Sequence, residues 1–183
     1  MNRRQALHTM MGALGLVSAT QVFGASAFLS GALPTAVQPV LAEPEVALLS
    51  DVGETILPST EDSPGAKAAG IGAFMQAMVS GYYTPAEQQV FLRGLADLQQ
   101  RSQAQFNTDV RSLTPGQREQ LLLALEQDSD ADYYRMIKQL TLWGYFASEV
   151  GAKQALRFAP IPGRHEGDVK IDPGTKAWAN LLP

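Results

Sequence analysis

The sequence predicts an all-α protein, a compact bundle of about five to six helices followed by a long irregular C-terminal tail. Apolar residues recur at spacings of three and four in successive segments between Val46 and Phe146, the period of helices that each bury one face. Thr-Pro pairs at Thr84-Pro85 and Thr114-Pro115 have the form of an N-cap followed by the first helical residue. No run of four to eight residues alternates apolar and polar between turn signals, so strands are at most minor. No internal repeat is visible.

The first helix is read from Pro44 to Leu57, with Val46, Leu49, Val52 and Ile56 on its apolar face. Pro58 stops it, because proline has no N–H to donate and its ring clashes with the preceding turn. Pro58-Ser59-Thr60-Glu61-Asp62-Ser63-Pro64 is a run of turn formers that ends at Gly65. A second helix carries Ile71, Phe74, Met75, Met78 and Val79 and is expected to close at Gly81. Thr84-Pro85-Ala86-Glu87 is a capping box that opens a third helix through Phe91, Leu95 and Leu98 toward Gln105. Thr114-Pro115-Gly116-Gln117 repeats the device and opens a fourth with Leu121, Leu122 and Leu125.

The fifth helix is read from about Asp130 to Ala147. Tyr133, Ile137, Leu140, Trp143 and Gly144 are expected on one side, while Leu142, Tyr145 and Phe146 widen the apolar surface beyond a single stripe. Such a helix is either central to the core or covered by a partner. Glu149 to Arg157 has room for a short further helix, after which Pro160, Pro162, Gly163, Gly167, Pro173 and Gly174 prevent regular structure. A mature chain of roughly 140 residues can bury close to two-thirds of its unfolded surface, enough for a core without disulfides or metal.

Charge divides the chain. Among its 183 residues are 14 Lys+Arg and 18 Asp+Glu, yet Arg3 and Arg4 are the only charged residues before Glu43, and Thr9 to Ala42 holds none. A basic start, an apolar middle from Met10 to Val17 and small residues beyond it form the layout of an export signal. Asn2-Arg3-Arg4-Gln5-Ala6-Leu7 resembles a twin-arginine (Tat) signal, although Asn2 replaces the usual Ser/Thr and Ala6 the frequent Phe. An ordinary Sec signal is the rival, but Gly, Ser, Thr and Gln dilute the apolar middle here. An uncleaved anchor is a further alternative, against which Ser18, Thr20, Gln21, Gly24, Ser26 and Ser30 interrupt the roughly 20 apolar residues that a spanning helix needs. Cleavage fits after Ala25-Ser26-Ala27 or after Val40-Leu41-Ala42. Residues 1–42 are thus read as signal peptide plus linker, with Pro34 and Pro39 in the linker, and 43–183 as one helical domain.

Composition excludes several chemistries. The chain has no cysteine, and so no disulfide, thiolate zinc site, iron–sulfur cluster or thiol nucleophile. His8 and His165 are its only imidazoles, and His8 lies in the leader. A net charge of −4 gives no long-range attraction to nucleic acid or anionic lipid. Asp128, Asp130 and Asp132 alternate as the first ligands of an EF-hand do, but Tyr133 and Gln139 stand where that loop needs Gly and Glu. They read better as a solvated helix start that complements the macrodipole. His165-Glu166-Gly167-Asp168 places an imidazole beside two carboxylates, a pattern more often a turn than an acid–base pair. Pro173-Gly174-Thr175-Lys176 lacks the spaced glycines of a phosphate loop. No residue is assigned to catalysis, to a cofactor or to a metal.

Three passages carry a family resemblance. They are Ile56-Leu57-Pro58 with Pro64-Gly65-Ala66; Leu140-Thr141-Leu142-Trp143-Gly144-Tyr145-Phe146 with Ser148-Glu149-Val150-Gly151; and Ile161-Pro162-Gly163-Arg164 with Ala177-Trp178-Ala179. Together they resemble the gluconate 2-dehydrogenase subunit 3 family, from about Val46 to Ala179. The resemblance implies an accessory subunit without a cofactor of its own. Its partner would be a large FAD-dependent dehydrogenase of the glucose–methanol–choline type, exported to the periplasm on this chain's Tat signal, and a third subunit, often a multihaem cytochrome c, would accept the electrons. Tat carries proteins already folded, which suits a flavin-loaded partner. Trp143, Tyr145, Phe146, Phe158, Ile161, Pro162 and Trp178 are the candidate partner contacts; the tail could equally pack on the chain's own helices. The rival reading is a free-standing periplasmic enzyme or carbohydrate-binding protein.

Overall fold

The structure, a computed structural model, describes residues 38–159 and 172–179. Five α-helices follow in order: α1 Glu43–Ile56, α2 Ile71–Tyr82, α3 Pro85–Phe106, α4 Pro115–Glu126 and α5 Asp132–Ala147. Short 3-10 turns at Ala66–Ala69 and Val110–Ser112 lie in the connections, and a π-helical turn, Gly151–Ala155, follows α5. Among the described residues the only β pairing is an isolated bridge between Arg157 and Trp178, so the all-α expectation holds. No helix among them is long and apolar enough to cross a membrane.

Local chemistry accounts for the boundaries. Thr84 and Thr114 accept at Oγ from the N–H groups of Glu87 and Gln117, and those side chains bond back to the threonine N–H groups at 2.8 and 3.0 Å. Each box satisfies donors that a helix start would otherwise leave unpaired. Helix α3 ends at Asn107, whose φ of 52° is the left-handed conformation that asparagine tolerates at a C-terminus. The buried Ser102 hydroxyl then donates to the Thr108 carbonyl at 2.8 Å and secures the turn.

Two boundaries differ from expectation. Helix α2 does not close at Gly81; it continues to Tyr82 and ends where Tyr83 turns extended. Two residues on, the Thr84 box starts a new helix with its own geometry, so Gly81 is not needed as a stop. Helix α5 begins two residues later than Asp130, because the Asp128 carboxylate accepts from the Asp130 N–H at 3.0 Å and holds those residues in a turn.

The core runs through all five helices, and α5 packs against each of the other four. Leu49, Val52, Ile71, Met75, Val79, Phe91, Leu98, Leu121, Leu125 and Ile137 are each 1% exposed or less. Of the two alternatives for α5, centrality to the core is observed. The contact with α3 is close: a Cβ at Gly94 would overlap the ring and Cβ of Tyr133. Beside it the Tyr133 hydroxyl donates to Asp97 Oδ2 at 2.7 Å, and Arg101 bonds both Asp97 and Asp128, each at 2.7 Å. Burial and then the neighbouring Asp97 raise the Tyr133 phenol well above its ordinary range. The Asp130 N–H and then Arg101 hold the Asp128 carboxyl below the usual carboxylate range.

Candidate functional site

Helix α5 has two faces of different character. Tyr133, Tyr134, Ile137, Leu140, Thr141, Gly144 and Tyr145 are buried, a stripe close to the helical period of 3.6. Leu142, Trp143 and Phe146 lie on the opposite side, 37%, 57% and 38% exposed. Leu142 and Phe146 are four residues apart and Trp143 and Phe146 three, so the side chains adjoin on the surface.

This surface rests on α2. Gly144 lets the helices meet, since a Cβ there would overlap the ends of Ile71 and Phe74. Phe74, itself half-buried, then meets Trp143 edge to face with ring centroids 6.4 Å apart and planes at 77°, a favoured arrangement of aromatic quadrupoles. Trp143 is therefore supported from behind while its outer part is in solvent. Beside it a shallow depression of about 410 Å³ is lined by Arg135, Lys138, Gln139, Leu142 and Trp143. The two cations are paired, Arg135 with Asp132 and Lys138 with Glu126, so the rim is polar with its charge locally balanced. An apolar centre inside a polar rim is the anatomy of a protein-binding surface.

The structure distributes the expected contact residues unevenly. Trp143 was placed on the core side with Ile137 and Leu140, and is turned outward instead. Tyr145 was expected among the partner contacts and is 3% exposed; its hydroxyl donates to the Pro64 carbonyl at 2.5 Å. The reason is the close contact at Gly144, which sets the rotation of α5 so that position 145 faces inward and 143 the rim. Phe146 stays at the surface with its ring edge to face on that of Tyr145, centroids 5.2 Å apart.

The tail contributes a second, smaller feature. Phe158 is 37% and Trp178 51% exposed. Arg157 and Trp178 pair through the Arg157 N–H to Ala177 carbonyl bond at 2.8 Å and the Ala179 N–H to Arg157 carbonyl bond at 2.9 Å. The Arg157 guanidinium lies 4.2 Å from the Trp178 ring centroid, a cation–π contact. The segment around Trp178 is thus paired with Arg157, two residues beyond the π turn. Arg3, Arg4, Ile161, Pro162, and the His165, Glu166 and Asp168 cluster lie outside the described residues.

Phe74 and Arg157 were missed from the sequence. Phe74 falls in the stripe of α2 and reads as core, and nothing local marks Arg157 as the partner of a residue beyond the tail's proline- and glycine-rich stretch. The Asp128, Asp130 and Asp132 triplet does not converge: Asp128 pairs with Arg101 and Asp132 with Arg135. Among the described residues no group of three or more acidic or imidazole side chains could hold a metal ion.

In comparison with known proteins, a family model described as gluconate 2-dehydrogenase subunit 3 matches residues 43–163, a span that takes in all five α-helices and the π turn. No curated protein and no solved structure matches the chain.

Proposed function

The chain belongs to the gluconate 2-dehydrogenase subunit 3 family, and from that premise we propose that it is the non-catalytic accessory subunit of a flavin-dependent dehydrogenase of the glucose–methanol–choline type. In this reading the large subunit carries the FAD and oxidises a CH–OH group of a sugar or polyol, and a multihaem cytochrome c subunit takes the electrons onward. This chain binds the large subunit, aids its folding and supplies the Arg3-Arg4 signal on which both pass through the Tat translocase to the periplasm. There the complex is held at the membrane.

The observation that supports binding is the supported aromatic surface of Leu142, Trp143 and Phe146. A tryptophan backed by Phe74 presents a large area with little conformational freedom left to lose, and such anchors dominate interface energies. The family membership says which partner to expect.

The test is co-expression of the full chain with its neighbouring genes, capture from the periplasm, and the absorption spectrum of what is captured. A yellow complex containing a large flavoprotein is expected, and a colourless chain without a partner would overturn the reading. Replacement of Arg3 and Arg4 together by Lys should leave both subunits in the cytoplasm.

A further inference from the structure

Cations stand beside exposed aromatic side chains at two places, and their charges are arranged differently. At the rim of the α5 surface each cation has a carboxylate, Asp132 for Arg135 and Glu126 for Lys138. At the tail, among the described residues, no carboxylate lies within 4.0 Å of Arg157 or Lys176. The Arg157 guanidinium instead sits 4.2 Å from the centroid of the Trp178 ring, and Lys176 Nζ donates to the Gln154 carbonyl. Arg157, Phe158, Lys176 and Trp178 are all exposed.

The backbone beneath these side chains is fixed. The Arg157 N–H and carbonyl bond the Ala177 carbonyl and the Ala179 N–H at 2.8 and 2.9 Å. Just before them the Leu156 N–H donates to the Gly151 carbonyl at 3.0 Å and closes the π turn. That turn is seated on the end of α5, since a Cβ at Gly151 would overlap the Tyr145 carbonyl oxygen. A guanidinium resting on an indole has little rotamer freedom left to lose, and its fork of N–H donors matches a carboxylate bidentately. Tryptophan and arginine are also among the side chains most enriched where a few residues dominate interface energies.

Two exposed cations and a tryptophan fit an acidic group on a protein better than an anionic membrane. Lipid attraction takes clusters of about four to eight basic residues, and a net charge of −4 opposes it. Resting on the accessory-subunit reading, we propose that Arg157, seated on Trp178, and Lys176 together take an Asp or Glu side chain of the large dehydrogenase subunit. The α5 surface, with its rim charges paired, supplies apolar area that depends little on salt. The tail patch supplies the charged contact that speeds encounter and fixes orientation.

The experiment uses the complex of the full chain with its large subunit, purified from co-expression. Carbodiimide joins an amine to a carboxylate without a spacer, and a cross-link is expected between Lys176 and an Asp or Glu of the large subunit, located by peptide mass spectrometry. Dissociation constants are then measured for the wild type and the Arg157→Gln/Lys176→Gln variant at low and high salt. From about 0.05 to about 0.5 M salt the wild-type constant should rise about tenfold and the variant's less than about twofold. The variant's melting temperature separates this from a structural role of the Arg157–Trp178 contact, which would lower stability and leave the salt dependence unchanged. Cross-linking of Lys176 only to carboxylates of its own chain, or equal salt dependence of the two proteins, overturns the proposal. Binding of the wild type to phosphatidylglycerol vesicles that the variant loses assigns the patch to the membrane and also overturns it. A chain that captures no flavoprotein overturns the accessory-subunit reading and the proposal together, whereas any of the other results with the flavoprotein bound overturns the proposal alone.

Discussion

The Tyr145 hydroxyl donates a 2.5 Å hydrogen bond to the carbonyl of Pro64 across 81 residues of sequence. It joins the end of α5 to the loop after α1. The same loop is held from its other side by the Glu54 carboxylate, which accepts from the N–H groups of Ser59 at 3.1 Å and Lys67 at 2.8 Å, and by the Ala66 N–H to Leu57 carbonyl bond at 2.9 Å. Two of the passages that carry the family resemblance, one around Pro64 and one around Tyr145, thus meet through a single phenol.

Tyr145→Phe keeps the ring in the core and removes only that bond. The Pro64 carbonyl loses a partner, and a loss of about 1 kcal/mol of stability is expected. Hydrogen exchange should quicken first in the loop between Pro58 and Ala66, and binding of the dehydrogenase should be nearly unchanged. Denaturant unfolding combined with exchange mass spectrometry checks both.

Trp143→Ala should behave in the opposite way. The side chain is mostly exposed, so stability is expected to change by less than about 1 kcal/mol. Affinity for the large subunit should fall by about tenfold or more, the effect of truncating an aromatic anchor. Phe146→Ala should act in the same direction. Titration calorimetry of purified subunits measures the affinity, and thermal unfolding measures the stability.

Asp128 makes the domain sensitive to acid. Its folded pKa is depressed, so it contributes stability above its unfolded value, about 3.9, and that contribution is lost as pH falls through the lower native value. Asp128→Asn keeps an acceptor for the Asp130 N–H but gives up the charge pairing with Arg101. The variant should show a shallower decline of unfolding midpoint between about pH 5 and pH 2 than the wild type.

Two glycines in helices should respond differently to alanine. At Gly94 the new Cβ would overlap Tyr133, and forcing α3 from α5 is expected to cost about 1–3 kcal/mol. At Gly116, in the first turn of α4, nothing beyond the neighbouring residues and the helix's own backbone lies within 4 Å of the added Cβ. Gly116→Ala should be neutral or stabilise by about 0.5 kcal/mol through a less flexible unfolded chain. Melting temperatures of the pair give the comparison.

The helices were legible because their causes are local. Thr84 with Glu87 and Thr114 with Gln117 specify two starts within four residues each, and the spacing of Ile71, Met75 and Val79 specifies a buried face without reference to what covers it. Phe146 was legible as a candidate contact because an aromatic there exceeds what one apolar stripe can hold. The family was legible for a related reason, since its passages are short runs read in order.

What the sequence by itself determined, then, is which segments are helical and that α5 carries more apolar surface than one face can bury. Only the tertiary structure decided how that surface is divided. Trp143 and Tyr145 flank Gly144, and local pattern cannot rank two aromatics that sit 200° apart on a helix of 3.6 residues per turn. The rotation is set from outside, by Ile71 and Phe74 closing on Gly144 and by Pro64 offering a carbonyl to the phenol that turns inward. Leu41 makes the same point at the other end of the domain. Among small residues it reads as part of a cleavage motif, and it becomes core because α2 holds a serine and a glutamine that satisfy the backbone on either side of it.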